Sequence, residues 1–559
     1  MMRKVNRRLA RLAALPLLLT LLAVAGAAQA PRPAQAPVPV EKQVATADEY
    51  LNRLVRDKQF SGAVLVARDG KVVLSRGYGM SNLESDVPNR PQTKFRIGSI
   101  TKQFTATAIM MLQERGKLST QDSVCKYMEN CPEAWQPVTI RHLLTHTSGI
   151  PSYTSLPEFR KTMALPLRLD ELIGRFKDRP LEFKPGEKFS YNNSGYVLLG
   201  HVIEKASGQD YESFLRQNIF EPLKMASTGY DHTSEVLRDR AYGYMLSGDR
   251  LENAPYLDMS LPHAAGALYS TVEDLYLWDQ AHYSDKLLSK KSFDEMLAPF
   301  RNNYGYGWGV NDQYGLRRIS HGGGINGFAT YIARYPEEKS AIIVLSNFQH
   351  ANPAFISDRL ARIFLSERMK LPTAVRVDPE ILKRYAGRYE VDPNALPNFI
   401  YDVDVENGQL WVTPSHQSRR RLIGQNDSQF LDEYLSDARF TFTKDAGGNV
   451  AGMSVRIDGR DFTARRLELP PASLTGNAGF RLSGYPNARI VAVAGSFNNW
   501  NQSQYLFAKE GDDWVARVSL APGKYSYKFI VDGIWILDPA NENVEDDGTG
   551  NRNSVLIVK

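Results

Sequence analysis

The 559-residue chain carries 68 lysines and arginines against 62 acids, a formal charge of +6, yet Arg3, Lys4, Arg7, Arg8 and Arg11 all stand within residues 1–30, which contain no acid. The remainder is near neutral, so its charge gives no ground for a nucleic-acid or membrane-surface partner. Two cysteines, Cys125 and Cys131, are too few for a metal tetrad and are not spaced as a redox C-x-x-C.

This length predicts two to four domains. Residues 1–30 read as a signal peptide: the basic stretch, an apolar run from Leu15 to Ala25, and Ala28-Gln29-Ala30 as the cleavage site. The run is too short to span a bilayer comfortably. The expectation is a periplasmic or secreted protein with no membrane span in its mature chain. Residues 31–42, rich in Pro and Ala, read as a linker.

A hydrolase-sized block follows over 43–370. It opens with a helical pattern, then a hairpin of Gly62–Arg68 and Lys71–Ser75 around Asp69-Gly70. Amphipathic helices fill its middle, and Ala329–Tyr335 and Ser340–Ser346 read as returning strands joined by Pro-Glu-Glu-Lys. That order predicts an α+β fold with one antiparallel sheet and a helical subdomain.

Within this block Ser99-Ile100-Thr101-Lys102 starts an amphipathic segment in which Phe104, Ala108, Met111 and Leu112 recur at helical spacing. Lys102, one turn from Ser99, reaches its hydroxyl. A lysine partly stripped of water can take that proton and create a nucleophile. A second match, Ser123-Val124-Cys125-Lys126, has no such helix behind it and is discounted. In an oxidising compartment Cys125 and Cys131 suit a small-loop disulfide, with two free thiols as the other reading. His142 and His146 stand at i, i+4, but Leu143 occupies the place of the glutamate in H-E-x-x-H, which favours capping or packing over a metal.

Tyr191-Asn192-Asn193 follows the turn Lys184-Pro185-Gly186 and precedes a helical run. Tyr191 could shuttle protons, and Asn193 could hydrogen-bond Lys102 or a substrate amide. His321-Gly322-Gly323-Gly324 precedes the strand pair. Gly323 and Gly324 let substrate backbone approach, and a strand N–H there can join that of Ser99 as an oxyanion hole. The His-Gly-Gly-Gly run also mimics an α/β-hydrolase oxyanion motif, but the required Gly-x-Ser-x-Gly elbow is absent from the chain.

Ser-x-x-Lys, Tyr-x-Asn and His-x-Gly in this order resemble the serine β-lactamase-like family of class C β-lactamases, D-alanyl-D-alanine carboxypeptidases and related esterases. Phe95-Arg96-Ile97-Gly98, the run from His142 to Gly149, and the run from Ala265 to Thr271 add to the resemblance. It implies that Ser99 is acylated, that Lys102 and Tyr191 share base and acid work, and that Asn193 positions substrate. His321 stands where β-lactamases proper usually carry lysine, which points toward peptidase and esterase branches. The implied reaction is acyl transfer on a small-molecule or peptide substrate, peptidoglycan-derived peptides included, with no metal or organic cofactor required. The runner-up is a β-lactamase proper, and a reading of another class is a catalytically silent glucan-binding protein.

Residues 377–468 change to short alternating strands, with Tyr401, Val403 and Val405, then Leu410 and Val412 after Asn407-Gly408, predicting a small antiparallel barrel or sandwich. Arg419, Arg420 and Arg421 read there as a solvated strand edge. A Pro- and Gly-punctuated stretch at 470–477 marks the next boundary. Residues 476–559 carry about seven short strands, an immunoglobulin-like β-sandwich pattern. The run from Ala494 to Trp500, the run from Pro522 to Phe529, Asp532-Gly533-Ile534-Trp535 and Asn551-Arg552-Asn553 resemble family-48 carbohydrate-binding modules and glycogen-binding domains. The resemblance implies that Trp500 and Trp535 stack on glucose rings and that Lys528 and Asn553 bind hydroxyls of an α-glucan. Core tryptophans in a structural sandwich are the other reading.

Overall fold

The computed structural model describes residues 38–247, 250–396, 399–415, 419–433, 438–457, 460–547 and 552–559. The signal peptide read over 1–30 lies outside them. Helix α1 (Val40–Arg56) begins three residues inside the stretch read as linker.

The scaffold of the hydrolase block is a six-stranded antiparallel sheet of β1 (Gly62–Arg68), β2 (Lys71–Tyr78), β3 (Gly309–Gln313), β4 (Leu316–Ile325), β5 (Phe328–Tyr335) and β6 (Ser340–Ser346). Its order is β3-β4-β5-β6-β1-β2, so the two ends of the block meet where β1 pairs with β6. Asp69 and Gly70 both take left-handed backbone (φ 53° and 71°), the requirement of the tight hairpin joining β1 to β2. Strand β1 is apolar on both faces because both are covered. Val64 and Val66 pack with Tyr50 and Leu51 of α1 and with Leu360 and Phe364 of α5 (Pro353–Leu365). Ala63, Leu65 and Ala67 face the larger core, which holds helices α2 (Thr101–Glu114), α3 (Asn193–Ser207) and α4 (Val272–Ala281).

Helix α2 departs from the amphipathic reading. Every residue from Thr101 to Leu112 is buried, so the helix runs through the core with no solvent face. Several of its polar groups find partners inside the protein. Thr101 Oγ1 accepts the Leu268 N–H at 3.2 Å, Trp278 Nε1 donates to Gln103 Oε1 at 3.0 Å, and Thr105 Oγ1 donates to the Ala264 carbonyl at 2.7 Å. Phe104 stacks on Trp278 with ring centroids 4.2 Å apart and meets Phe220 edge-on.

The middle block is a closed eight-stranded barrel of β7 (Gly387–Val391), β8 (Ile400–Glu406), β9 (Gln409–Pro414), β10 (Arg420–Gly424), β11 (Gln429–Asp432), β12 (Arg439–Lys444), β13 (Val450–Ile457) and β14 (Arg460–Arg466). Tyr389, Tyr401, Val403, Leu410, Val412 and Phe440 alternate into its interior. The arginine run lies on no free edge, because the barrel is closed, and of the three only Arg420 is buried. Arg419 pairs with Asp404 and Glu406, Arg420 with the buried Asp432 at 3.1 Å, and Arg421 with Glu433 at 2.6 Å. Asp404 and Glu406 of β8, Asp432 of β11 and Glu433 just beyond it thus supply a carboxylate for each guanidinium, and the barrel also leans on the hydrolase block through Tyr314 Oη, which donates to the carbonyls of Asp432 and Glu433.

The last block is a β-sandwich whose two sheets enclose Phe480, Val491, Val493, Trp514, Tyr527 and Phe529. It rests on the barrel wall. Arg388 of β7 and Asp402 of β8 point outward yet are buried, 2.8 Å apart. Arg388 also donates to the Gln502 carbonyl at 3.4 Å, and a Cβ on Gly533 would sit 3.1 Å from Asp402 Oδ2. A further tie, Arg552 to Glu252 at 3.1 Å, joins the sandwich to a hairpin of the hydrolase block.

Because α2 has no exposed side, its packing carries the block. Phe104→Ala is expected to lower stability by about 3–5 kcal/mol, read from the midpoint of chemical denaturation; a midpoint within error of wild type would show that α2 is not a core element.

Candidate active site

Ser99 lies in a tight turn, Gly98–Ile100, that leads directly into α2. Gly98 takes φ 53°, and a Cβ there would also press to 3.0 Å from the Gly324 nitrogen. The turn is stitched to the sheet by Thr330 Oγ1, which donates to the Ile97 carbonyl at 2.9 Å. At Gly323 a Cβ would fall 1.9 Å from the Ile97 oxygen, so only glycine lets β4 run against the serine turn. A Cβ on Gly324 would meet nothing within 4 Å, which marks the open side of that strand.

Lys102 is fully buried, and its Nζ lies 2.9 Å from each of three oxygens: Ser99 Oγ, Asn193 Oδ1 and the Ala265 carbonyl. The rings of Tyr191 and Tyr196 stand 4.9 and 5.4 Å away. Burial holds the amine well below the ordinary lysine range. In the neutral form Asn193 Oδ1 and the Ala265 carbonyl, which can only accept, take the two N–H groups. The lone pair is then left for the Ser99 hydroxyl.

Asn192 and Asn193 divide their labour. Asn192 caps α3, its Oδ1 accepting the Gly195 N–H at 2.8 Å. Asn193 Nδ2 donates to Thr154 Oγ1 at 3.0 Å, which with Lys102 fixes the orientation of the amide and leaves one N–H for substrate. Tyr191 exposes 42 % of its surface. Burial of its hydroxyl raises the phenol pKa, with the neighbouring Ser99 hydroxyl opposing that shift, so the proton stays on oxygen.

His321 is engaged at both ring nitrogens. Nδ1 meets the Gly322 carbonyl at 2.6 Å, and Tyr304 Oη meets Nε2 at 2.9 Å. Burial, with Lys102 nearby, lowers its pKa to about 4. The ring is therefore neutral at pH 7, with Nδ1–H donating to Gly322 and Nε2 accepting from Tyr304.

Two residues complete this cluster that the sequence did not single out as functional. His146, buried and at φ 57°, packs 4.3 Å from the Tyr191 ring and accepts the Asn192 N–H on Nδ1 at 3.1 Å. Tyr304, besides binding His321, lies 4.8 Å from His146. The His142/His146 pair was visible, yet only His142 is a cap: its Nδ1 and backbone N–H complete a capping box with Thr139. Tyr304 sits in no recognisable motif, and Ala265 acts through a carbonyl that any residue would provide. Cys125 and Cys131 form a disulfide. Among the described residues no group of His, Cys, Asp and Glu is arranged to hold a metal, and no helix is long and apolar enough to cross a membrane.

In the sandwich, Trp500 and Trp535 lie side by side, ring centroids 6.1 Å apart and tilted by 44°. Trp535 pairs across the sheet with Ile530, which places it on the outer face with Lys528. The register of Gly523–Val531 with Arg552–Val558 brings Asn553 to that face as well. Lys528 is half-buried and Asn553 buried; burial lowers the lysine pKa, with Asp547 opposing. Both tryptophans are half-buried, so neither belongs to the main sandwich core.

Comparison with known proteins agrees with this geometry. The beta-lactamase family profile matches residues 47–366, a domain of unknown function (DUF3471) matches 371–468, and the glycogen recognition site of AMP-activated protein kinase matches 483–559. Penicillin-binding protein 4* of Bacillus subtilis is 30% identical over 419 residues, covering 69% of this chain and 91% of its own. Among solved structures, the octameric penicillin-binding protein homologue from Pyrococcus abyssi is 30% identical with a TM-score of 0.54, covering 76% of this chain and all of the other. A D-stereospecific amidohydrolase from Streptomyces is 25% identical with a TM-score of 0.50, covering 58% of this chain and 98% of the other. With a profile spanning more than half its length and its three motifs gathered around one buried lysine, the chain belongs to the β-lactamase family.

Proposed function

We propose that the protein is an exported serine hydrolase that cleaves an ester or amide through an acyl-enzyme on Ser99. The observation that carries this reading is the desolvated Lys102 amine, 2.9 Å from Ser99 Oγ and anchored by Asn193 and Ala265. Lys102 takes the Ser99 proton as Oγ attacks the substrate carbonyl, and the N–H groups of Ser99 and Gly324 receive the oxyanion. The Tyr191 phenol gives its proton to the leaving amine or alcohol and is reprotonated by the Lys102 ammonium. Water then attacks the acyl carbon, its proton passing to the same pair, and the acid leaves with Ser99 restored. Export rests on the leader-like residues 1–30.

His321 bears on the substrate. A neutral imidazole with both nitrogens occupied offers no cation to a substrate carboxylate. This supports an uncharged ester or amide at the scissile end, a D-amino-acid amide among them, over a β-lactam or a peptide with a free carboxyl terminus. The sandwich supports a second role on its own account: the match to a glycogen recognition site and the Trp500–Trp535 pair favour α-glucan binding with Lys528 and Asn553.

Ser99→Ala is expected to abolish turnover of a p-nitrophenyl ester and the mass increase left by a fluorophosphonate on the intact protein. Wild-type activity in that variant, or a label on another residue, removes Ser99 as nucleophile. The rate of acylation should fall as pH drops and Lys102 gains its proton, with the midpoint well below 10.5. Lys102→Arg, protonated throughout, should lose about 10²–10⁴-fold; a profile still rising above pH 10 would speak against lysine as base. Glycogen should retain the protein on affinity electrophoresis and retain Trp500→Ala less, whereas equal mobility of the two assigns the tryptophans to structure alone.

A further inference from the structure

Five residues along α2 from Lys102, Thr107 opens onto a cavity of about 350 Å³, separate from the Ser99 cleft. The cavity lies between α2, the segment following α4, and β5, which contributes Arg334. Its volume is at the lower end of the range for sites that hold small organic molecules.

Two buried polar atoms on residues that line it lack partners. Arg334 is 1 % exposed; its Nε donates to Asp279 Oδ1 at 2.5 Å and its Nη2 to the Asp279 carbonyl at 3.2 Å. The guanidinium packs over the rings of Tyr283 and Phe293 at 5.1 and 5.8 Å, close enough to the Tyr283 hydroxyl to oppose the rise that burial gives its pKa. Nη1 is buried with no hydrogen-bond acceptor. Thr107, also 1 % exposed, has an Oγ1 that is buried and equally unpartnered, although a helical threonine has a carbonyl four residues back within reach. A buried donor without an acceptor is costly, more so on a charged group, and both residues line the same cavity.

The rest of the lining is part apolar and part charged, with both signs present. Leu287, Phe293 and Leu297 supply hydrocarbon wall, while Lys290 and Arg317 stand in the lining with Asp285 and Asp294. Lys290 is paired with Asp294, and Arg317 lies 3.8 Å from Glu337. A guanidinium N–H forms its strongest hydrogen bond with an anionic oxygen.

The geometry points to a second binding site, for a small carboxylic acid with an aromatic or branched aliphatic body. The carboxylate meets Arg334 Nη1 and the Thr107 hydroxyl, and the body lies against Leu287, Phe293 and Leu297. The assignment is independent of the chemistry at Ser99, and its readout is binding rather than turnover.

The test is calorimetric titration of the full chain with phenylacetate and, in parallel, with its neutral isostere phenylacetamide. Replacing Arg334 would leave Asp279 buried without its ion pair, so the variants are Thr107→Val, which keeps the volume, and Leu287→Trp, which fills the cavity; thermal melting confirms that both fold. Phenylacetate is expected to bind saturably, about tenfold more weakly to Thr107→Val, the loss of one charge-assisted hydrogen bond, and not at all to Leu287→Trp. Phenylacetamide should bind at least tenfold more weakly than phenylacetate. Absence of saturable binding, or undiminished binding to Leu287→Trp, overturns the site. Equal affinity for the two probes overturns its assignment to an acid.

Discussion

The constraint on which the catalytic block depends is the removal of one amine from water. Lys102 is fully enclosed, and a charged ammonium there would forfeit its hydration for three neutral oxygens. The protein therefore favours the neutral base, and does so through packing, with no carboxylate among the three hydrogen-bond partners. Each anchor comes from a different part of the chain: Ser99 from the turn ahead of α2, Asn193 from the start of α3, and the Ala265 carbonyl from the short segment before α4. The site is a convergence point of the core, which is why the helix bearing it has no solvent face.

The aromatic cluster extends the same logic. Tyr191, Tyr196, Tyr304, His146 and His321 surround the lysine with rings whose polar ends are mostly spoken for. Burial lowers the imidazole pKa values and raises those of the phenols, so all stay uncharged near neutrality. An uncharged shell costs little to bury and exerts no pull on the lysine proton. It also removes the fixed cation that a lysine in place of His321 would bring.

Much of this was legible in the sequence because the side chains gathered around Lys102 stand in motifs. Ser99, Lys102, Tyr191 and Asn193 each stand in a short pattern whose order survives folding, and the hairpin at Asp69-Gly70 announces itself by backbone demand. The barrel and the sandwich were readable from alternation and turn residues. The rest was hidden for physical reasons. Ala265 contributes a carbonyl, which leaves no signature in residue identity. Tyr304 reaches His321 from the irregular segment ahead of β3, a relation no linear spacing encodes. Helix α2 looked amphipathic because Thr101, Gln103 and Thr105 are polar, but their partners come from segments more than 150 residues away. The arginines at 419–421 misled in the same way, since their carboxylates come from segments at least eleven residues away in the chain.

The buried Arg388–Asp402 pair bears on how separable the sandwich is. Appended binding modules are usually pictured as beads that evolution can add or discard at a linker. Here the barrel has placed an ion pair on its outer wall, where the sandwich covers it with the Gln502 carbonyl and Gly533. Trimming the chain at the 470–477 boundary would expose that wall as a hydrated salt link, and exchanging the sandwich for another module would require one with a matching carbonyl at Gln502 and a glycine at 533. The junction thus makes the sandwich a part whose surface is fitted to its neighbour rather than a detachable accessory.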